Sequence, residues 1–183
     1  MNVDSKYPFP VESADFRLNK DCDCQHSMGN NVIFKSNYGN LGPIDVTFTD
    51  GTSTQTFNQP IASVIVDTTC EDVKNLIIEF VGILNVTTTV SATSTLTFTL
   101  FKMCNGTRVA QPISSTTYFV ADIFGGVTTS HTLVFKFPFS NDCCESGCCT
   151  YILDLTDIYN LDFGTITYAI NGTLSALVIV SPQ

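Results

Sequence analysis

The chain has 183 residues and a formal net charge of −9, with 44% hydrophobic and 14% charged residues. That length fits one domain plus an appendage. The acidity argues against nucleic acid as a partner, because binding phosphate needs basic patches that displace counterions. Charge is well below the usual quarter, and Thr, Ser and Asn fill the gap, as in the run TTTVSATST over 87–95. A surface wetted by hydroxyls and amides responds weakly to salt and pH.

Residues 1–29 carry Pro8 and Pro10, scattered charges and no periodicity, which reads as an extended connector arm rather than part of a packed core. Neither a basic n-region nor an apolar h-region opens the chain, so no secretory signal is visible. From residue 30 to residue 183 the pattern is that of one β-domain. Short runs rich in Val, Ile, Thr, Phe and Tyr alternate with Gly, Pro, Asn and Asp. They predict strands near 31–37, 43–49, 60–69, 75–86, 94–104, 114–123, 131–140, 148–156 and 164–181. Leu96, Phe98 and Leu100 point one way while Thr95, Thr97 and Thr99 point the other. Leu133, Phe135 and Phe137 likewise oppose Val134, Lys136 and Pro138. Such alternation means one face buried and one wet. The segment 71–80 comes closest to a helical period, and its β-branched tail argues for strand. Glu79 and Asn171 interrupt the best apolar runs, so none reaches membrane-spanning length. The expected fold is all-β: a jelly-roll sandwich of eight or nine antiparallel strands.

Eight cysteines fall short of the roughly 8–10% that marks a small disulfide scaffold, yet the number favours an oxidising final location. Two explanations reconcile this with the missing signal: a removed leader, or release by lysis of the producing cell. In 143–149, CCESGCC, the insert Glu145-Ser146-Gly147 has the character of a hairpin loop. Such a loop would set Cys144 opposite Cys148 and Cys143 opposite Cys149. Only one cysteine of each doublet can then face the core. Cys22 and Cys24 project to the same side of an extended arm, and a bond between them would close a strained small ring. At roughly 3.3 Å per residue, an arm of about 25 residues reaches several tens of ångströms. Cys70 and Cys104 fall at predicted strand ends, either bonded to one another or buried as free thiols. Bonds between chains, bonds within the chain and metal ligation all remain open for these thiols, the first favoured. Zinc or an iron–sulfur cluster is the weakest, because neither cluster has the C-x₂-C spacing that orients two sulfurs on one ion.

Catalytic signals are sparse. The two histidines are His26 in the arm and His131 at a strand start. A Cys24–His26 dyad would lack the preorganised pocket and oxyanion hole that nucleophilic catalysis needs. No G-x-S-x-G, P-loop, H-E-x-x-H or dinucleotide fingerprint occurs. Asp154, Asp157 and Asp162 miss the EF-hand spacing and read as a solvated loop. The N-x-T matches at Asn85, Asn105 and Asn171 are expected by chance in a Thr-rich chain. No cofactor, no metal and no enzymatic activity is expected.

Residues 60–84 (PIASVIVDTTCEDVKNLIIEFVGIL), 96–106 (LTFTLFKMCNG) and 133–155 (LVFKFPFSNDCCESGCCTYILDL) resemble a clostridial spore-associated β-domain family. In that family an F-x-F … C-C … C-C-T-Y stretch ends the domain. The likeness covers most of 30–181 and rests mainly on CCTY and VDTTC. The plan is also similar to the endospore appendage (Ena-type) fibre subunits of bacilli, jelly rolls whose Cys-bearing N-terminal arm crosslinks to earlier subunits. The resemblance implies that Cys22 and Cys24 are the intermolecular cysteines. It puts their acceptors, or intradomain partners, among Cys70, Cys104, Cys143, Cys144, Cys148 and Cys149. Bacillar arms are usually shorter and carry adjacent cysteines, so this chain departs from them at C-x-C.

The expected function is therefore a structural subunit of a self-assembling, disulfide-crosslinked fibre or spore-surface appendage. Its partners would be copies of itself in a helical homopolymer, with a spore-coat anchor or tip protein at its ends, and neither nucleic acid nor membrane. Its place would be extracellular, on the spore surface. The alternative is a β-sandwich module that binds carbohydrate or another surface ligand, whose marker would be an aromatic platform.

Overall fold

The computed structural model describes residues 32–49, 53–67, 73–104, 107–108, 112–123, 125–140 and 148–180. Nine strands follow in order: β1 (Val32–Phe48), β2 (Ser53–Asp67), β3 (Val73–Thr88), β4 (Ala92–Cys104), β5 (Thr107–Arg108), β6 (Ser114–Ile123), β7 (Val127–Ser140), β8 (Cys148–Asn160) and β9 (Gly164–Val180). The expected arm, 1–29, lies outside the described residues.

Pairing runs inward from the two ends of the chain. β1 joins β9, β2 joins β8, β3 joins β7 and β4 joins β6, all antiparallel. A chain so paired is one long ribbon folded back on itself. Wrapping that ribbon sets β9 against β3 and β8 against β4. The result is a four-stranded sheet, β1-β9-β3-β7, facing a five-stranded one in which β2, β8 and β4 follow in order. β6 and the two-residue β5 both pair with β4. This is a jelly-roll β-sandwich.

The alternation read from the sequence is what fills it. Leu96, Phe98, Leu100 and Leu133 are fully buried, with Phe135 and Phe137 nearly so, whereas Val134, Lys136 and Pro138 face out. Each large side chain buried this way contributes about 1.5–3 kcal/mol. The rings of Phe98 and Phe135 meet at 4.8 Å between centroids, and Phe80 stacks on Phe135 at 6.1 Å.

Three glycines shape the interior without standing out in the sequence. Gly39, Gly172 and Gly82 are ladder partners across β1, β9 and β3. A Cβ on Gly172 or Gly82 would sit 2.6 or 2.7 Å from Cζ of Phe80, so the bare backbone is the bed on which that ring lies. A Cβ on Gly39 would strike the Ile61 carbonyl and Ala62, so β2 crosses β1 there in backbone contact. The Asn37 side-chain amide donates to the Ser63 carbonyl (3.0 Å) beside this crossing.

Besides the unexpected β5 and a start of β7 at Val127 rather than 131, the structure departs from the expected strand limits in three places. The runs 31–37 and 43–49 are one strand, β1, because a cis Gly42–Pro43 peptide and the positive φ of Gly42 (111°) are absorbed in a bulge between Leu41 and Ile44. A bulge accommodates a proline that would otherwise end the ladder. β2 starts at Ser53 rather than near 60, and β8 continues to Asn160. The two extensions pair with each other, from Ser53↔Asn160 to Thr56↔Asp157.

A cysteine-bearing end of the sandwich

Strand direction sorts the cysteines. β1 enters at Val32, β2 leaves at Asp67, β3 enters at Val73, β4 leaves at Cys104, β7 leaves at Ser140, β8 enters at Cys148 and β9 leaves at Val180. The pairings Val32↔Ile179, Val73↔Val180, Asn75↔Ser140, Asp67↔Cys148 and Cys104↔Cys149 set all these strand ends on one side of the molecule. Cys104, Cys148 and Cys149 stand in the ladder there. Cys70 belongs to the connection between Asp67 and Val73, and Cys143 and Cys144 to that between Ser140 and Cys148. Cys22 and Cys24 precede Val32 by ten and eight residues, a tether of at most roughly 35 Å. Cys22, Cys24, Cys70, Cys143 and Cys144 lie outside the described residues. At the opposite end the chain turns through 49–52, 89–91, 124–126 and 161–163, none of which holds a cysteine. Spacing in the sequence hides this clustering, which arises only when the ribbon is folded.

Cys143 and Cys144, the first half of the expected 143–149 hairpin, lie outside the described residues, but the ladder neighbours of Cys149 are described. β7 is the edge of one sheet and β8 is interior to the other. Cys149 already has Val66 on one side and Cys104 on the other, and a strand has only two edges. Cys148 faces Asp67 in register. Thus Cys143 is not the ladder partner of Cys149. Cys149 is 3% exposed and disulfide-bonded.

The outer face of the four-stranded sheet is apolar toward this same end. Phe34, Leu177, Ile77 and Pro138 form one row across it in register, and Tyr38, Thr173, Val81 and Val134 form another. Phe34 is 63% and Tyr38 65% exposed, with Val32, Val81, Ile83 and Val134 each about half so. Between these rows stands one ion pair, Lys136–Glu79 at 3.2 Å. Farther along, the face turns to hydroxyls. Thr87 and Thr128 meet at 2.7 Å, Thr47 and Thr165 at 3.0 Å, and Thr167 donates to Asp45 at 2.6 Å.

The opposite end is closed by a buried polar cluster that links the two sheets. Ser94 donates to Asn160 Oδ1 (3.2 Å), which leaves the Tyr168 hydroxyl to donate to Ser94 Oγ (2.8 Å). Asn160 in turn donates to the Asp162 carbonyl (2.6 Å), and the Asp162 carboxylate accepts from the Thr93 backbone (3.0 Å). Burial pushes the Tyr168 hydroxyl up to about 12, against a smaller opposing pull from Ser94.

The remaining sequence candidates separate. Asp154 is not in a solvated loop: it is a fully buried residue of β8. Asp157 accepts from Thr56 (3.0 Å), and Asp162 caps the turn described above. The three face different neighbours, and among the described residues no group of three or more His, Cys, Asp or Glu gathers to hold a metal. His131 is a β7 residue opposite Leu84, its ring edge-on to Tyr118; His26 lies outside the described residues. Sequence reading missed an exposed aromatic pair. Tyr159, Thr95 and Phe119 form a row on the outer face of the five-stranded sheet, with Phe119 61% exposed. The signal was the phase of Phe119, one residue out of step with buried Val120. Among the described residues no helix is long and apolar enough to cross a membrane.

Wrapped-ribbon pairing and sheet order define the class of this protein as a jelly-roll β-sandwich. The chain belongs to the family described as Domain of unknown function (DUF4489), whose profile matches residues 42–179. No curated relative matches it in sequence. Among solved structures it is similar to that of the infectious bursal disease virus Gx strain, at 8% identity and a TM-score of 0.32, over 82% of this chain and 41% of that one. It therefore spans about two fifths of that protein's length. A CBM4 structure is similar at 12% identity and a TM-score of 0.26, over 66% of this chain and 73% of the other. The tryptic core of a Bacillus thuringiensis Cry1Da variant is similar at 15% identity and a TM-score of 0.24, over 75% and 22%.

Proposed function

We propose that this chain is a structural subunit of a self-assembling, disulfide-crosslinked extracellular fibre or spore-surface appendage, built as a helical homopolymer and without catalytic activity. The observation that carries the proposal is the segregation of cysteines to one end of the sandwich, the end at which the N-terminal segment with Cys22 and Cys24 enters. A domain that needed disulfides only for its own stability would gain as much from bonds at either end. Cysteines on a tether beside a cysteine-rich end suit bonds between copies. The apolar rows around Phe34 and Tyr38 suit a non-covalent contact with a second copy before thiols are joined, since contiguous exposed apolar surface marks interaction sites. Head-to-tail contacts that do not close a ring generate a filament. The spore-surface setting rests on the resemblance of the VDTTC and CCTY segments to clostridial spore-associated domains, and release by cell lysis would supply the oxidising environment.

The test is a denaturing gel of purified protein with and without reductant, beside negative-stain images of the same sample. A ladder that collapses to a monomer on reduction, together with filaments, is the expected result. Cys22→Ser with Cys24→Ser should then fold normally and give fibres that fall apart in denaturant. A single monomer band under both conditions, with no filaments, would sink the proposal.

The exposed row Tyr159–Thr95–Phe119 favours a second reading, a module that binds carbohydrate or a surface ligand on the five-stranded face. Aromatic faces stack on apolar faces of ligands. Glycan binding by the monomer that is lost in Phe119→Ala and Tyr159→Ala would support it.

A further inference from the structure

Cys149 follows the inward phase of β8, buried with Tyr151 and Leu153, and it carries a disulfide. Its ladder partner on β2 is Val66; its partner on β4 is Cys104. Directly opposed residues of an antiparallel pair share a face, with Cα atoms about 4.5–5.5 Å apart. A disulfide spans about 4.4–6.8 Å between Cα atoms, so this register position needs no backbone movement to be bridged. The other cysteines fit less well. Cys148 is the sequence neighbour, and strand alternation assigns its position to the opposite face. Cys70 follows Asp67, whose partner is Cys148, so its place in the chain is beyond the start of β8. Cys143 and Cys144 precede β8 in the chain, and Cys149 has both of its ladder neighbours elsewhere.

We infer that the buried bond is an intrachain cross-strand disulfide, Cys104–Cys149, stapling two interior strands of the five-stranded sheet. In forming it the two thiols give up two protons and two electrons to an external small-molecule disulfide, which is reduced to two thiols. The staple withdraws Cys104 and Cys149 from the pool of acceptors. Crosslinks between copies are then confined to Cys22, Cys24, Cys70, Cys143, Cys144 and Cys148. The inference goes beyond the fibre reading and stands whether or not fibres form.

The experiment mixes full-length chains of natural isotope abundance with uniformly ¹⁵N-labelled chains, reduces them, reoxidises them together and digests without reductant. Lys102 and Arg108 release the peptide 103–108, which carries Cys104 as its sole cysteine. Fragmentation of its disulfide-linked partner should locate Cys149, with both peptides always from the same isotope pool. Hybrid light–heavy pairs would make the bond intermolecular and overturn the staple while leaving the fibre reading intact. Alkylation of Cys104 in denaturant without reductant, or linkage to a cysteine other than Cys149, would overturn it as well. In a second measurement Cys104 should stay blocked in Cys143→Ser with Cys144→Ser and become alkylated in Cys149→Ser, by at least tenfold in peptide yield. A Cys149→Ser chain that does not fold leaves the isotope map of the unmodified chain to decide.

Discussion

The two ends of this sandwich are built on one framework with opposite chemistry. At the far end the Ser94–Asn160–Tyr168 cluster finds its partners inside the chain, and the Tyr168–Ser94 hydrogen bond ties the two sheets. At the other end strands finish in cysteines, and the nearby outer face is apolar and exposed. A hydrogen-bonded closure is complete in a single copy, whereas the exposed apolar rows are surface that, under the fibre proposal, a second copy would cover. Under that proposal the difference separates an end that serves stability alone from one that serves both stability and association.

The largest expected effect breaks the cysteine end. Replacing Cys104 and Cys149 together with Ala should lower unfolding stability by about 2–4 kcal/mol, the range for a disulfide that closes a long loop. Replacing Cys22 and Cys24 with Ser should leave monomer stability within about 0.5 kcal/mol, as for changes outside a packed domain. Guanidinium melts of both variants read the contrast. Equal losses in the two would erase the proposed division between staple and crosslinker.

Next comes the bed of Phe80. Gly172→Ala puts a Cβ 2.6 Å from the ring, and overpacking of this kind costs about 1–3 kcal/mol. A thermal melt unchanged from the parent would mean that both the ring and the facing Val81–Gly82 backbone give way freely.

The far end should respond to alkaline pH through one buried hydroxyl. Tyr168 has a folded-state value of about 12 against 10.0 unfolded. The unfolded chain therefore loses this proton first as pH rises above 10. The folded state retains it up to about 12, so stability is fully present below pH 10 and falls between 10 and 12, by on the order of 2 kcal/mol in total. Tyr168→Phe should lose about 1 kcal/mol at neutral pH with its hydrogen bond and show a flatter alkaline limb. An alkaline denaturation curve of the same slope in Tyr168→Phe would assign the effect to other groups.

Much of the fold was legible because it is written with period two. The alternations at 95–100 and 133–138 named core residues by phase alone, although Thr99, expected on the wet face, is buried and bonded to Thr156, and β-branched runs bounded by Gly and Asn marked the strands. The site was less legible for a topological reason. Cys104 and Cys149 are ladder neighbours far apart in the chain, and nothing local says which sheet β8 will join. The 143–149 run has the turn chemistry of a hairpin, but the wrapping of the ribbon sends β7 and β8 to different sheets, and that long-range pairing gives Cys149 other neighbours than Cys143. The Gly39–Gly172–Gly82 row was hidden in the same way: each glycine looks like a strand interruption until register lines them up.

The smallest effect belongs to the hydroxyl half of the outer face, the part of the four-stranded sheet farthest from the cysteines. Thr87 and Thr128 oppose each other there with their oxygens 2.7 Å apart. Cross-strand pairs of this type contribute about 0.2–1 kcal/mol, and the Lys136–Glu79 pair nearer the apolar rows, with both groups solvated, about 0–1 kcal/mol. Thr128→Ala should therefore shift a denaturant midpoint only slightly, and Lys136→Gln should do the same with a still smaller change at high salt. Neither should alter assembly. The apolar half of the same face behaves differently under the fibre proposal: Phe34→Ser, equally exposed to solvent in one copy, should leave the monomer's melt nearly unchanged yet slow the appearance of crosslinked species. If Thr128→Ala slowed assembly as much as Phe34→Ser, the contact between copies would cover the whole face and the polarity between the two ends would not guide it.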